Sequence, residues 1–158
     1  MKFFNIFLTF IKIFIFAKKS EGKSNRTITY YSQILYALEK SIKDLHYAST
    51  DVIRDYLFRY QQEHNCSAST IDNIRRVFSS FYTWMENENY IFKSPMKRIL
   101  KLKLPTTVKP IYSEENLLKM REFFIGDKRN LAIFDLLSSS GLRVGELVSL
   151  NRKDINID

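Results

Sequence analysis

"TIDNIRRVFSSFYTWMENE", Thr70 to Glu88, decides the fold class. Ile71, Ile74, Val77, Phe78, Phe81 and Met85 recur at spacings of three and four, the period of one helical face. Arg76, Ser80 and Thr83 fall on the opposite arc, and Arg75 sits at the margin. The stretch predicts an amphipathic helix that starts after Ser67 or Ser69, both good caps.

Two more helices are legible upstream. Ser24 precedes "NRTITYYSQILYALEKSI", where Ile28, Tyr31, Leu35, Leu38 and Ile42 make one apolar stripe. Thr50 precedes "DVIRDYLFRYQQE", where Ile53, Tyr56, Leu57 and Tyr60 do the same. Asp51 lies in that helix's first turn, where the helix dipole favours an acid. The N-terminal run "FFNIFLTFIKIFIFA", Phe3 to Ala17, is apolar on nearly all sides, broken only by Asn5, Thr9 and Lys12. It is shorter than the roughly 20 apolar residues of a spanning helix. No small-residue cleavage site follows it; Phe16-Ala17-Lys18-Lys19 does. It reads first as the buried opening helix of a helical domain. Its all-round hydrophobicity leaves a membrane-associated segment as the alternative. Four helices in about ninety residues, with short connections, predict a small helical bundle.

Bulk composition agrees. The chain has 158 residues, 45% of them hydrophobic, which fits one ordinary domain, or a small domain with part of another, and excludes a disordered chain. The net charge of +8 favours a polyanionic partner, either nucleic acid or an anionic membrane surface. Cys66 is the single cysteine, so no disulfide forms within the chain, and a reducing compartment is the simple reading.

Beyond the helices the texture changes. "KSPMKRILKLKLPTTVKPIY", Lys93 to Tyr112, holds Pro95, Pro105 and Pro110 together with Lys93, Lys97, Arg98, Lys101, Lys103 and Lys109, and no acidic residue. It reads as a basic linker between two packed segments, with one short helix at Met96–Leu100. A run of one sign in that place suits tracking of phosphates; the plainer alternative is a solvated loop. A second segment then begins at Ser113, a cap followed by Glu114 and Glu115, with Leu117, Leu118, Phe123 and Phe124 giving an apolar side. "KRNLAIFDLLSSSG" predicts a further helix stopped by Gly141, "VGELVSL" another short one, and "DINID" the start of a strand. Between the last two helices stands Arg143. Packing of Leu137, Leu142 and Leu147 is expected to hold its guanidinium rigid and only partly hydrated, ready for a phosphate, with Glu146 three residues on to orient it. Taken alone, such a pair is more often a surface ion pair.

The fuller pattern narrows the choice. "LAIFDLLSSSGLRVGELVSLNRKDI" resembles the segment around the first catalytic arginine of the tyrosine recombinase (phage integrase) family. "EGKSNRTITYYSQI" is similar to that family's Gly-x-Ser-x-x-Thr opening of a DNA-binding helix, and "SASTIDNIRRVFSSFYTWMENENYIFKSP" to its second major helix with a Ser-Pro exit. The resemblance runs from about Ala17 to Asp158, nearly the whole chain, and meets Phe3–Phe16 only loosely. It implies a mainly α chain. A SAM-like helical bundle, the core-binding domain, occupies 17–93 behind the apolar helix of 1–16; a basic interdomain linker occupies 94–112. An incomplete, mostly helical N-terminal part of an α+β catalytic domain occupies 113–158.

In that family a tyrosine attacks a DNA phosphate without a metal or nucleotide cofactor, and arginines, a lysine and histidines neutralise the transition state. The resemblance assigns Arg143 to the scissile phosphate and Glu146 to orienting it. The later members of the set have no counterpart: both histidines, His46 and His64, and all nine tyrosines precede Arg143. The expectation is therefore a truncated, catalytically inactive recombinase whose DNA binding remains. The rivals are a stand-alone module that competes with an intact recombinase, and a membrane-associated helical protein. Expected partners are double-stranded DNA and other recombinase protomers upon it, with no small-molecule ligand, in the cytoplasm. The expected DNA contacts are Lys23, Asn25, Arg26, Thr29 and Gln33 at the first capped helix, Arg75, Arg76, Ser80 and Thr83 on the Ile71 helix, and Lys97, Arg98, Lys101 and Lys103 in the linker.

Overall fold

A computed structural model describes residues 4–42, 48–104 and 108–154, with side chains of the first helix from Phe7 onward. Serines set most of the helix starts. The hydroxyl oxygens of Ser24, Ser49, Ser67 and Ser113 each accept the backbone N–H three residues on, from Thr27, Val52, Thr70 and Asn116. The helices are α1 (Phe4–Ser20), α2 (Asn25–Ser41), α3 (Thr50–His64), α4 (Ala68–Asn87), α5 (Glu114–Phe123), α6 (Lys128–Ser140) and α7 (Val144–Ser149). Among the described residues there is no strand. The α3 cap is Ser49, one residue before the predicted Thr50, and α4 starts at Ser67 rather than Ser69. Asn65 at φ 44° ends α3 and Gly141 at φ 66° ends α6, both left-handed caps that a short polar side chain or none tolerates. Of the predicted terminal strand, Ile155–Asp158 lie outside the described residues, and Asp154 belongs to a 3₁₀ turn, Arg152–Asp154.

The chain divides into two units, Met1–Pro105 and Thr106–Asp158. The first is a four-helix bundle built on α4. Its buried residues include all six of the predicted stripe, and Tyr82 and Trp84 besides. Phe7, Ile11 and Phe14 of α1, Leu35 and Leu38 of α2, and Ile53, Tyr56 and Leu57 of α3 close on it. Phe81 is wholly buried and meets Phe7 and Phe14 edge-on, at 5.4 and 5.2 Å between ring centres. So the apolar N-terminal run is a core helix of the bundle. Ile13 and Phe16 remain on its outer side, and among the described residues no helix is long and apolar enough to cross a membrane.

The basic stretch after α4 does not run free. Residues 94–104 lie within the first unit and form a strap over α3 and α4. The predicted short helix is a 3₁₀ turn, Pro95–Arg98, with Met96 buried beneath it. Thr50 Oγ1 donates to the Pro95 carbonyl at 2.8 Å, and Arg54 donates to the Arg98 carbonyl at 2.9 Å. Glu86 accepts the Ser94 N–H and pairs with Lys97. Farther along, the Leu102 N–H reaches Asp72 Oδ1 at 3.4 Å.

The second unit contrasts with the first. Arg121 and Asp135 join α5 to α6 through two hydrogen bonds, and Phe124 lies against Phe134. No residue of α5, α6 or α7 is buried, and Leu118, Phe123, Ile125, Val144 and Val148 are exposed.

Phe81→Ala removes the ring at the centre of the bundle and should cost about 3–5 kcal/mol in thermal or denaturant unfolding. Phe134→Ala, at a half-buried site, should cost about 1 kcal/mol or less and leave the bundle's transition in place. Acid should also loosen the strap. Burial raises the Asp72 carboxyl, but hydrogen bonding and charge from Arg75, the Leu102 N–H and Arg76 outweigh it and hold the group below its usual range. The Lys97 hydrogen bond does the same for Glu86. A carboxyl depressed on folding stabilises above its unfolded pKa of about 4, and that stabilisation is lost as pH falls through the folded value. Stability measured from pH 6 down to about pH 2 should therefore drop below pH ~4, and less steeply in Asp72→Asn.

Candidate nucleic-acid interface

The solvent arc of α4 faces the C-terminal end of α1 across a groove of ≈ 520 Å³. Arg75, Arg76, Ser80 and Thr83, four of the predicted contacts, line it together with Ser79, Asn87 and the edge of Trp84. They meet there because helical spacing stacks them over successive turns, while the apolar face locks α4 in rotation. Lys18 and Glu21 form the opposite wall. Lys18 was not among the predicted contacts. Its ammonium lies over the Phe14 ring, 5.4 Å from the ring centre, and pairs with Glu21 at 2.6 Å. The Lys18-Lys19 pair at the close of an apolar run was the available signal.

Beneath the groove is Asp72, which sequence reading also passed over. Its side chain is 1% exposed. Arg75 Nε donates to Oδ1 at 2.8 Å and Arg76 Nε to Oδ2 at 2.9 Å. Arg75 is mostly packed, at 14% exposure, whereas Arg76 is 57% exposed. Spacings of three and four along one helix are those at which such pairs meet, so the pairing was readable. The burial of the carboxylate was not.

The remaining predicted residues lie elsewhere. Lys23, Asn25, Arg26, Thr29 and Gln33 are exposed around the N-terminal half of α2 and do not line the groove. The Thr29 hydroxyl donates back to the Asn25 carbonyl. On the strap, Arg98, Lys101 and Lys103 are exposed, and Lys97 is already paired with Glu86. In the second unit Arg143 caps α7. Its backbone N–H donates to Glu146 Oε2 at 2.8 Å and its Nη1 to Oε1 at 3.1 Å. Glu146 does contact it, as the spacing suggests. The expected partial dehydration is absent, however: the Arg143 side chain is 86% exposed, because the leucines around it form no buried layer.

Charge separates the two units. Residues 1–105 carry 17 Lys and Arg against 9 Asp and Glu; residues 106–158 carry 8 against 8. The whole surplus of the chain therefore belongs to the bundle and its strap. Acids within the bundle pair with Lys18, Arg75, Arg76 and Lys97, so these cations are aimed as well as present.

Comparison with known proteins bears on the family of the chain. Residues 10–91 match the family described as Phage integrase, N-terminal SAM-like domain. The chain is 28% identical to the tyrosine recombinase XerC of Halalkalibacterium halodurans, over 90% of this chain and 50% of that one. It is 32% identical to XerA of Pyrococcus furiosus, over 87% of this chain and 46% of that one. A crystal structure of XerA recombinase aligns with 94% of this chain and 51% of its own, at 20% identity and a TM-score of 0.49. The chain thus spans about half the length of the curated relatives it matches. With a helical bundle built on α4, a groove of oriented arginines, and a match that runs from α1 past the end of α4, the chain belongs to the tyrosine recombinase (phage integrase) family through its N-terminal SAM-like domain.

Proposed function

We propose that this chain binds duplex DNA through its first unit, as the core-binding part of a site-specific tyrosine recombinase. The observation that carries the reading is the confinement of the charge surplus to residues 1–105, the unit that contains the family match. Phosphate neutralisation dominates affinity for duplex DNA and demands cations on one body. Arg75 and Arg76 supply them within the groove, and Ser80 and Thr83 add neutral donors beside them. Lys23, Asn25 and Arg26 surround the N-terminus of α2, whose free N–H groups suit a phosphate, with Thr29 and Gln33 one and two turns on. Arg98, Lys101 and Lys103 extend the contact along the strap. In this reading residues 17–93 with α1 grip the duplex, 94–112 lead onward, and 113–158 begin the catalytic domain, where Arg143 meets the scissile phosphate and Glu146 orients it. Such work belongs in the cytoplasm, on DNA shared with other recombinase protomers.

A second reading, a module that occupies recombinase sites without cutting, draws support from the second unit, where no helix residue is buried and Arg143 stands in water. Both readings require DNA binding, so affinity for a duplex of about 30 base pairs, followed across a salt series, tests them together. Binding should weaken steeply as salt rises. Replacing Lys97, Arg98, Lys101 and Lys103 together with Gln should flatten the slope by about three, since Lys97 is already engaged and each phosphate contact is worth about 0.9. An unchanged slope would mean that the strap does not touch the backbone. Arg143→Ala should alter affinity by less than about fivefold, as for a hydrated ion contact. A loss of a hundredfold would place Arg143 in a formed phosphate site.

A further inference from the structure

Asp72 holds three donors with two oxygens. Oδ1 takes Arg75 Nε at 2.8 Å and the Leu102 N–H at 3.4 Å; Oδ2 takes Arg76 Nε at 2.9 Å. In both arginines only Nε is engaged with the carboxylate. A guanidinium held at Nε is restrained on that edge, and its other edge, formed by Nη1 and Nη2, is left open to bind a phosphate oxygen pair. Arg75 also lines a second, smaller hollow with Ile99, Leu100 and Leu102 of the strap, so it stands between groove and strap.

We propose that Asp72 is a positioning residue for DNA binding: it presets the two α4 arginines for phosphate and ties the basic strap to the same carboxylate, so that groove and strap engage DNA as one surface. The proposal rests on the DNA-binding reading of this groove. Its physical basis is entropy. A free arginine loses much rotamer freedom on contact with a phosphate, and the clamp has already removed that freedom in the unbound protein. Asp72 itself is too covered to repel the phosphate at close range, with its side chain 1% exposed beneath two cations.

The idea has a sign that simple charge counting lacks. Removing an acid from a DNA-binding face should strengthen binding if Asp72 acts only through its charge. Under the proposal, Asp72→Asn weakens binding. The amide keeps one acceptor oxygen but turns a donor toward Arg76, so at least one guanidinium is released. The test measures affinity of the full chain for a duplex of about 30 base pairs over a salt series, for the parent, Asp72→Asn, Arg75→Gln/Arg76→Gln, and the triple variant. Expected are a loss of about tenfold in Asp72→Asn, a slope smaller by one to two, and no further loss when Asp72→Asn is added to the double variant. Tighter binding in Asp72→Asn, or an equal loss in the absence of both arginines, overturns the proposal. Should Asp72→Asn fail to fold, the parent alone decides. The Nε–H signals of Arg75 and Arg76 should exchange with water more slowly than those of Arg26 in free protein and in complex, and rates equal to Arg26 overturn the clamp. A parent that shows no DNA binding at low salt overturns the DNA reading instead, and the free-protein exchange rates then still decide whether the clamp exists.

Discussion

The bundle depends on one helix being buried along most of its circumference. Nine residues of α4 are buried, including Phe78, Phe81, Tyr82, Trp84 and Met85, which leaves a narrow polar arc. Rings that meet edge-on at 5.2 to 5.4 Å tolerate little rotation. A helix held so tightly can point Arg76 and Thr83 outward at a fixed angle. The rigidity of the polar arc is thus a by-product of packing on the opposite side of the same helix.

Polar contacts then decide what happens to the chain after α4. A stretch with three prolines and six cations has every compositional mark of a free linker. Its first half is nonetheless seated, because Met96 is buried and four separate hydrogen-bond acceptors or donors on α3 and α4 meet its backbone. Single exposed contacts of this kind contribute little. Grouped around a buried methionine, with backbone partners that lose no side-chain entropy, they hold a strap. The positive charge of the strap therefore sits on a surface already shaped.

The two units illustrate how much a fold owes to completed burial. Caps are as good in the second as in the first: Ser113 and Asp127 both hold backbone N–H groups, and Gly141 closes α6 in the left-handed conformation. Yet no residue of α5 to α7 is buried, and apolar side chains stand open. Helix ends determine where helices begin and stop; they do not supply the apolar transfer that fixes one helix against another. Arg143 shows the result locally, since the same Gly-Leu-Arg pattern that suggests a rigid pocket yields a hydrated guanidinium when no layer forms around it.

By itself the sequence determined the helices, the caps at Ser24, Ser113 and Gly141, the apolar stripes of α2, α3 and α4, and the family. These features are local or periodic, and period and capping chemistry are written in neighbouring residues. It also carried the full charge surplus and its place along the chain. Tertiary structure alone decided that the strap is seated, that Lys18 lines the same groove as the α4 arginines, that Asp72 is buried beneath them, and that Arg143 is not held. Each of these depends on which residues distant in sequence come within hydrogen-bond or van der Waals reach. Spacing could suggest that Asp72 pairs with Arg75 and Arg76; only the approach of Leu102, thirty residues on, made the carboxylate a junction.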